Sequence, residues 1–393
     1  MIESARGFRF SATEASIKRP GRKDIALIYS ESVSAMAGLF TRNKVKAAPV
    51  RLDMRRIKSG KGQAIIVNSG NANACTGEKG LRDAEAMAAL VAENLGLNKE
   101  LVYVCSTGVI GTPMPMERIR ASIPTLIREI GQHNIRDVAL AIMTTDTFPK
   151  VIERDFRIGK IQAKITGICK GAGMIRPDMA TMLCFILTDI SITPQALDSA
   201  LRKAVDGSFN RITVDGDMST NDTILAMANG MAGNKILVDD SRAYRIFESA
   251  LSEVAGELSR MIVMDGEGAT KIVEITVKNA KNEREAKKAV YTVANSLLVK
   301  TALYGNDANW GRIMASLGYS GVSLKEENID IYINGIKIVS RGLGTGRDKN
   351  PEDIFRDKEV KIMIDLRIGK GSATVLTCDL SEDYVKINAE YRT

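Results

Sequence analysis

Lys170-Gly171-Ala172-Gly173-Met174-Ile175-Arg176-Pro177-Asp178-Met179-Ala180-Thr181, followed at once by the apolar run Met182-Leu183-Cys184-Phe185-Ile186-Leu187, is the stretch that decides how the chain is read. The glycines and the proline set up an irregular loop, and the apolar run has the length and character of a buried strand. Thr181 therefore stands at a loop-to-strand junction, behind the small Ala180. That position suits a threonine that cleaves its own chain. Its hydroxyl attacks the preceding carbonyl, the resulting ester is hydrolysed, and a new terminal amine is freed. A terminal amine has a pKa of roughly 8, against about 10.4 for lysine, so it can act as the base for its own hydroxyl. By spacing alone the plainer reading, a threonine that opens a core strand, is preferred. The Gly-x-Gly here lacks the strand-before, helix-after context of a dinucleotide fingerprint.

Composition narrows the chemistry around this stretch. The chain has 393 residues, 45% hydrophobic and 26% charged, which fits a globular protein of about two associated units. The longest apolar runs, such as 86–92 and 182–187, fall far short of the roughly 20 residues that span a bilayer. The start, Met1-Ile2-Glu3-Ser4-Ala5-Arg6-Gly7, has no apolar secretory region, so a cytoplasmic location is expected, with no membrane partner. The five cysteines (Cys75, Cys105, Cys169, Cys184, Cys378) are scattered without a Cys-x-x-Cys pair and read as buried, reduced thiols. His133 is the single histidine, expected in an exposed polar loop. A zinc site or a Ser-His-Asp machine would have to rest on it alone, so no metal is expected. The net charge of +8 is spread over 18–23, 58–61 and 281–288, and aromatics are only 5%, so a solvated basic surface is read rather than a nucleic-acid partner.

Helical and strand patterns alternate along the whole chain, which gives an α/β class. Residues 64–67, 101–105, 272–277 and 329–333 read as strands. Helices are expected over 83–95 with Gly96 as the stop, over 117–130 with Pro124 inside, from Thr193-Pro194 to about 205, and over 241–261. The polar stretch 278–288 is the candidate boundary, the Gly-rich 341–347 a surface loop, and Gly369-Lys370-Gly371-Ser372 a hairpin turn.

Three further segments could carry chemistry. Cys105-Ser106-Thr107-Gly108 ends a strand, where a hydroxyl and a backbone N–H can converge as an oxyanion site requires; a plain turn has the same signature. Met143-Thr144-Thr145-Asp146-Thr147 offers hydroxyls and a carboxylate after a helix, as a binding loop or as capping side chains. Met264-Asp265-Gly266-Glu267-Gly268 sets a carboxylate between two glycines, where an ammonium could bind or where a simple turn precedes a strand.

Taken in order, these segments resemble the ornithine acetyltransferase (glutamate N-acetyltransferase) family, the bifunctional acetyltransferases of arginine biosynthesis. The resemblance runs through Asn68-Ser69-Gly70-Asn71-Ala72-Asn73-Ala74-Cys75-Thr76-Gly77, Ser106 to Gly111, Thr144 to Thr147, Lys170 to Leu183, Asp215-Gly216-Asp217-Met218-Ser219-Thr220-Asn221-Asp222-Thr223, Asp265 to Lys271, Asn306 to Arg312 and the ending Asn388-Ala389-Glu390-Tyr391-Arg392-Thr393. It implies cleavage between Ala180 and Thr181, giving an alpha chain of 1–180 and a beta chain of 181–393 that assemble as a heterotetramer. It implies ping-pong transfer of acetyl from N2-acetylornithine to glutamate through acetyl-Thr181, with no cofactor and with acetyl-coenzyme A a candidate co-substrate. A self-processed aminopeptidase or amidase that passes its acyl group to water is the alternative. The family's oxyanion hole maps onto Thr107 and Gly108, and its substrate contacts onto Thr144, Lys170, Thr181, Glu267, Asn388 and Thr393. Lys170 would pair with the substrate carboxylate and Glu267 with the ornithine ammonium. Glutamate carries a carboxylate where ornithine has that ammonium, so a second contact from Asn388 and the chain end is expected. The implied fold is a layered α/β sandwich like the N-terminal-nucleophile hydrolases but with its own topology, plus a smaller α+β C-terminal domain. On this reading 1–280 form the main catalytic domain, and 281–393 a C-terminal domain whose tail returns to the active site.

Overall fold

The structure is a computed structural model and describes residues 4–17, 20–176, 182–349, 354–355 and 357–390. It divides into two compact units. The first holds the chain up to Asn210 together with Asp217–Ile262; the second holds Arg211–Gly216 and the chain from Val263.

In the first unit, β1 (Phe8–Thr13), β2 (Ile25–Phe40), β3 (Lys61–Asn68), β4 (Val102–Ser106), β5 (Lys150–Ile158), β6 (Ile161–Lys170), β7 (Leu183–Thr188) and β8 (Thr223–Ala228) form one sheet. Its order is β4-β3-β2-β8-β7-β6-β5, with β1 beside β2. The β3/β4 and β7/β8 pairs are parallel, the others antiparallel. The helices are α1 (Ala48–Arg56), α2 (Gly77–Leu95), α3 (Met116–Arg128), α4 (Ile135–Ile142), α5 (Pro194–Gly207) and α6 (Arg242–Met264). Successive strand residues point to opposite faces, and here both faces are covered. Ile65 and Val67 pack with Ala26, Ile28 and, from α4, Val138 and Ile142. Ala64 and Ile66 pack with Leu27 and, from α2 and α3, Met87, Val91 and Ile123. On β6, a Cβ at Gly167 would stand 2.9 Å from Val254 and 2.8 Å from Leu258 of α6, so that helix rests directly on the strand. Burial on both sides is why these strands read as unbroken apolar runs rather than as alternation.

The helix expected at 83–95 begins at Gly77. Glycine disfavours helix interiors, which hid the first turns, but a Cβ at Gly80 would lie 1.9 Å from the Thr76 hydroxyl and 2.5 Å from Asn73 Oδ1. The glycine is required by close packing. His133 corrects another expectation. It is half-buried, pairs in an isolated bridge with Phe10, and has a buried Nδ1 with no hydrogen-bond partner among the described residues.

The second unit contains β9 (Ile272–Ala280), β10 (Asp330–Ile333), β11 (Ile336–Ser340), β12 (Leu343–Gly344), β13 (Glu359–Asp365) and β14 (Gly371–Cys378), with α7 (Glu283–Ala294), α8 (Leu297–Tyr304), α9 (Trp310–Gly318) and α10 (Glu382–Glu390). The sheet order is β12-β11-β10-β13-β9-β14. Val273, Ile275 and Val277 of β9 form its core with Ala286, Val290 and Val293 of α7. The polar stretch 278–288 joins β9 to α7 inside this unit. Gly369-Lys370-Gly371-Ser372 is not a hairpin turn: β13 and β14 flank β9 on opposite sides, so the segment passes over its end. A Cβ at Gly371 would stand 2.1 Å from the Asn282 carbonyl carbon, which is why glycine recurs there. Among the described residues no helix is long and apolar enough to cross a membrane.

Candidate active site

Two clusters hold the sequence-predicted residues. The first gathers at strand ends of the larger sheet. Parallel strands β3 and β4 end side by side, with Asn68 opposite Ser106. The chain then makes two turns that are sewn together. The Thr107 N–H donates to the Asn68 carbonyl at 3.0 Å, and the Val109 N–H to the Gly70 carbonyl at 3.3 Å. The Ser106 hydroxyl donates to Asn68 Oδ1 at 2.6 Å, while Asn68 Nδ2 donates to the Asn71 carbonyl at 3.0 Å. Gly108 has φ +132°, and a Cβ there would lie 2.3 Å from the Gly70 carbonyl carbon. Only glycine fits, on both counts. Thr107 is buried, and its side chain makes no hydrogen bond among the described residues.

Lys170 closes β6, directly opposite Leu183 at the start of β7. The chain therefore leaves the sheet at Lys170 and returns beside it just after Thr181. Lys170 Nζ donates to the Thr144 hydroxyl at 2.8 Å. Both are arranged by Asp146, whose carboxylate accepts from the Thr144 N–H at 3.1 Å, the Gly171 N–H at 2.9 Å and Lys150 Nζ at 2.7 Å. The Lys150 and Asp146 side chains are fully buried. Burial alone would raise the Asp146 pKa, but the Lys170 and Lys150 ammoniums outweigh it and hold the carboxyl below its usual range. In the loop that leaves β6, Ala172 and Met174 take positive φ, 103° and 56°, a costly conformation for residues other than glycine. Ala180 and Thr181 lie outside the described residues. Beyond them, Met182 donates its N–H to the buried Asp222 carboxylate at 3.1 Å and accepts from the Thr223 N–H at 3.0 Å.

The second cluster lies in the smaller unit. Glu267 is buried and accepts from Asn388 Nδ2 of α10 at 2.8 Å; the same amide donates to the Tyr384 carbonyl at 2.9 Å. Gly268, at φ +67°, lets the loop press on α10, since a Cβ would stand 2.6 Å from the Tyr384 nitrogen. Asp379 fixes the other end of the loop, accepting from the N–H groups of Thr270 at 2.8 Å and Lys271 at 3.0 Å and from the Thr270 hydroxyl. Thr393 lies outside the described residues.

The structure thus pairs Thr144 with Lys170 and Glu267 with Asn388, and sets Thr107 and Gly108 on a turn whose shape excludes a side chain. The sequence places Asp146 only within a binding loop or cap and Asn68 only within a family motif, and gives no sign of Asp379. The one local signal was that Asp146 and Lys150 stand four residues apart.

A sequence model of the ArgJ family matches residues 9–393. The arginine biosynthesis bifunctional protein ArgJ of Geobacter sulfurreducens is 54% identical over 392 residues, covering 99% of this chain and 100% of its own length. The protein of the same name from Caldanaerobacter subterraneus subsp. tengcongensis is 49% identical over 397 residues, covering 100% of this chain and 98% of its own. A crystal structure of arginine biosynthesis bifunctional protein ArgJ from Bacillus halodurans is 42% identical with a TM-score of 0.50, and 53% of this chain accounts for 98% of the solved one.

Proposed function

The chain belongs to the ArgJ family, and on that premise we propose that it is an acetyltransferase of arginine biosynthesis that moves acetyl from N2-acetylornithine to glutamate. The observation that carries this reading is the family match over residues 9–393. The reaction is ping-pong through an ester on Thr181, which becomes a terminal residue when the Ala180–Thr181 bond is cut. The solved relative supports the cut, since about half of this chain accounts for nearly all of that one.

The steps follow from the residue types. The freed Thr181 amine takes the proton of its own hydroxyl, and the oxygen attacks the acetyl carbonyl carbon. The tetrahedral oxyanion accepts from the Thr107 hydroxyl and the Gly108 N–H. Its collapse breaks the amide bond, and the Thr181 ammonium returns the proton to the departing ornithine amine. The glutamate amine then attacks the acetyl ester, regenerating the hydroxyl. Lys170, held by Thr144, binds the α-carboxylate in both halves. Glu267 binds the ornithine ammonium. Asn388 and Thr393 serve the glutamate carboxylate, for which a carboxamide is suited because it both donates and accepts. The relatives' name calls them bifunctional; acetylation of glutamate from acetyl-coenzyme A is proposed as the second activity, and a heterotetramer of cleaved chains in the cytoplasm as the working form.

Purified protein is given N2-acetylornithine with and without glutamate. Ornithine release that depends on glutamate is expected. Release of acetate at the same rate without glutamate would make it a hydrolase and overturn the proposal. Replacing N2-acetylornithine by acetyl-coenzyme A in the same assay tests the second activity.

A further inference from the structure

Building on the acyl-transfer reading above, we propose that Asn221 and Asp222 are the positioning pair of this active site: Asn221 clamps the oxyanion turn, and Asp222 fixes the strand that begins behind Thr181. Both side chains are buried at the entrance to β8. Asn221 Nδ2 donates to the Ser106 carbonyl at 2.8 Å and to the Ala72 carbonyl at 2.7 Å, while its Oδ1 accepts from the Thr220 hydroxyl at 2.6 Å. The Ser106 carbonyl belongs to the peptide that leads into Thr107. Ala72 belongs to the loop against which Gly108 is pressed, and its N–H donates to the Val109 carbonyl at 3.0 Å. One amide therefore grips both sides of the turn that aims the Thr107 hydroxyl and the Gly108 N–H.

The next residue holds the nucleophile's neighbour. Asp222 Oδ1 accepts the Met182 N–H at 3.1 Å, and the Thr223 N–H reaches the Met182 carbonyl at 3.0 Å, so Met182 is fixed from both sides by consecutive residues. The Asp222 carbonyl in turn accepts from the Thr41 N–H at 2.9 Å, anchoring the dipeptide to the end of β2. After cleavage, Ser106 and Ala72 are on the 1–180 chain while Asn221, Asp222 and Met182 are on the other. The dipeptide thus registers donors on one chain against a nucleophile on its partner.

The two members grip by different means. Asn221 donates to two carbonyls of the oxyanion turn, whereas Asp222 accepts the N–H of Met182, the residue that follows Thr181 in the chain. Losing either leaves one side of the site without its fixed partner.

Two variants test the pair in the full-length, self-cleaved protein, with cleavage read by intact mass and folding by thermal melting. Asn221→Ala is expected to lower kcat by about tenfold or more while KM changes less than about threefold, the signature of misplaced donors rather than lost binding. Asp222→Ala removes the acceptor for the Met182 N–H and is expected to lower kcat by a similar factor with the same small change in KM. A folded, cleaved variant with kcat within about twofold of the parent overturns the proposal. So does failure of both variants to fold, which would make the pair a determinant of the fold rather than of the site. A parent protein without glutamate-dependent transfer defeats the functional reading itself, a result distinct from an active parent with indifferent variants.

Discussion

A hydroxyl can stabilise an oxyanion only where water does not compete for it and where its direction is fixed beforehand. Thr107 is buried at a strand end, and its backbone N–H is already committed to Asn68. Thr107→Ala should therefore lower kcat by roughly 10²–10³-fold with little change in KM, measured in the glutamate-dependent exchange; near-normal turnover would remove Thr107 from the oxyanion hole. Asp146 gives a different kind of prediction, because its work is electrostatic and structural. Its folded-state pKa is depressed, so the stability it contributes is complete above the ordinary carboxylate value of about 4 and is lost as pH falls through the lower folded value. Asp146→Asn should abolish that part of the acid destabilisation. At neutral pH it should cost about 3–5 kcal/mol, because it leaves the Lys150 ammonium buried without its carboxylate. Denaturant melts of both proteins between pH 3 and 7 (a range chosen to bracket that value) would show parallel acid limbs if Asp146 did not carry the effect.

At the scale of elements, the separation between what was legible and what was not is physical. The strands at 64–67 and 101–105 were visible because β3 and β4 are apolar on both faces, and the chain of α5 because Thr193 and Pro194 mark its start in a local code. The first turns of α2 were hidden by Gly77, which takes φ +59°, and by Gly80, whose presence is dictated by contacts with Asn73 and Thr76 rather than by helix propensity. The connection 369–372 was misread because pairing is decided by distant strands: β9 inserts between β13 and β14. The site divides the same way. Thr107, Gly108, Thr144, Lys170 and Glu267 stand out by residue type at or just past the ends of strands and helices. Asp222 and Asp379 do not, since they bond to N–H groups 40 and 109 residues away and leave no local pattern. Helix α4 permits a test at this scale. It starts with a reciprocal cap between Asn134 and Asp137 and lays Ile135, Val138 and Ile142 on the sheet beside Phe10. Asn134→Ala should destabilise the protein by about 1 kcal/mol without altering turnover, read from thermal melts beside the exchange assay; a fall in activity at unchanged stability would give the cap a role it has not been assigned.

At the scale of the whole chain, the strand order decides what cleavage does. A cut between Ala180 and Thr181 assigns β1 to β6 to one fragment and β7 and β8 to the other. In the sheet, β8 pairs with β2 and β7 pairs with β6, so the two strands of the second fragment are flanked on both sides by strands of the first. The β2/β8 pairing runs from Ala35 to Phe40 and the β6/β7 pairing from Ile165 to Lys170, and the residues between them belong to the buried core. Separation would require both ladders to break and that core to open, which amounts to unfolding the unit. The cut protein should therefore show two masses, those of 1–180 and 181–393, under denaturing conditions, but elute as one species in native buffer. Thr181→Ala should show a single intact mass and the same native elution. Fragments that part in native buffer would contradict the interleaved sheet. A single mass in both proteins would remove Thr181 as a freed terminal nucleophile while leaving the sheet untouched, so the two readouts test the chemistry and the topology independently.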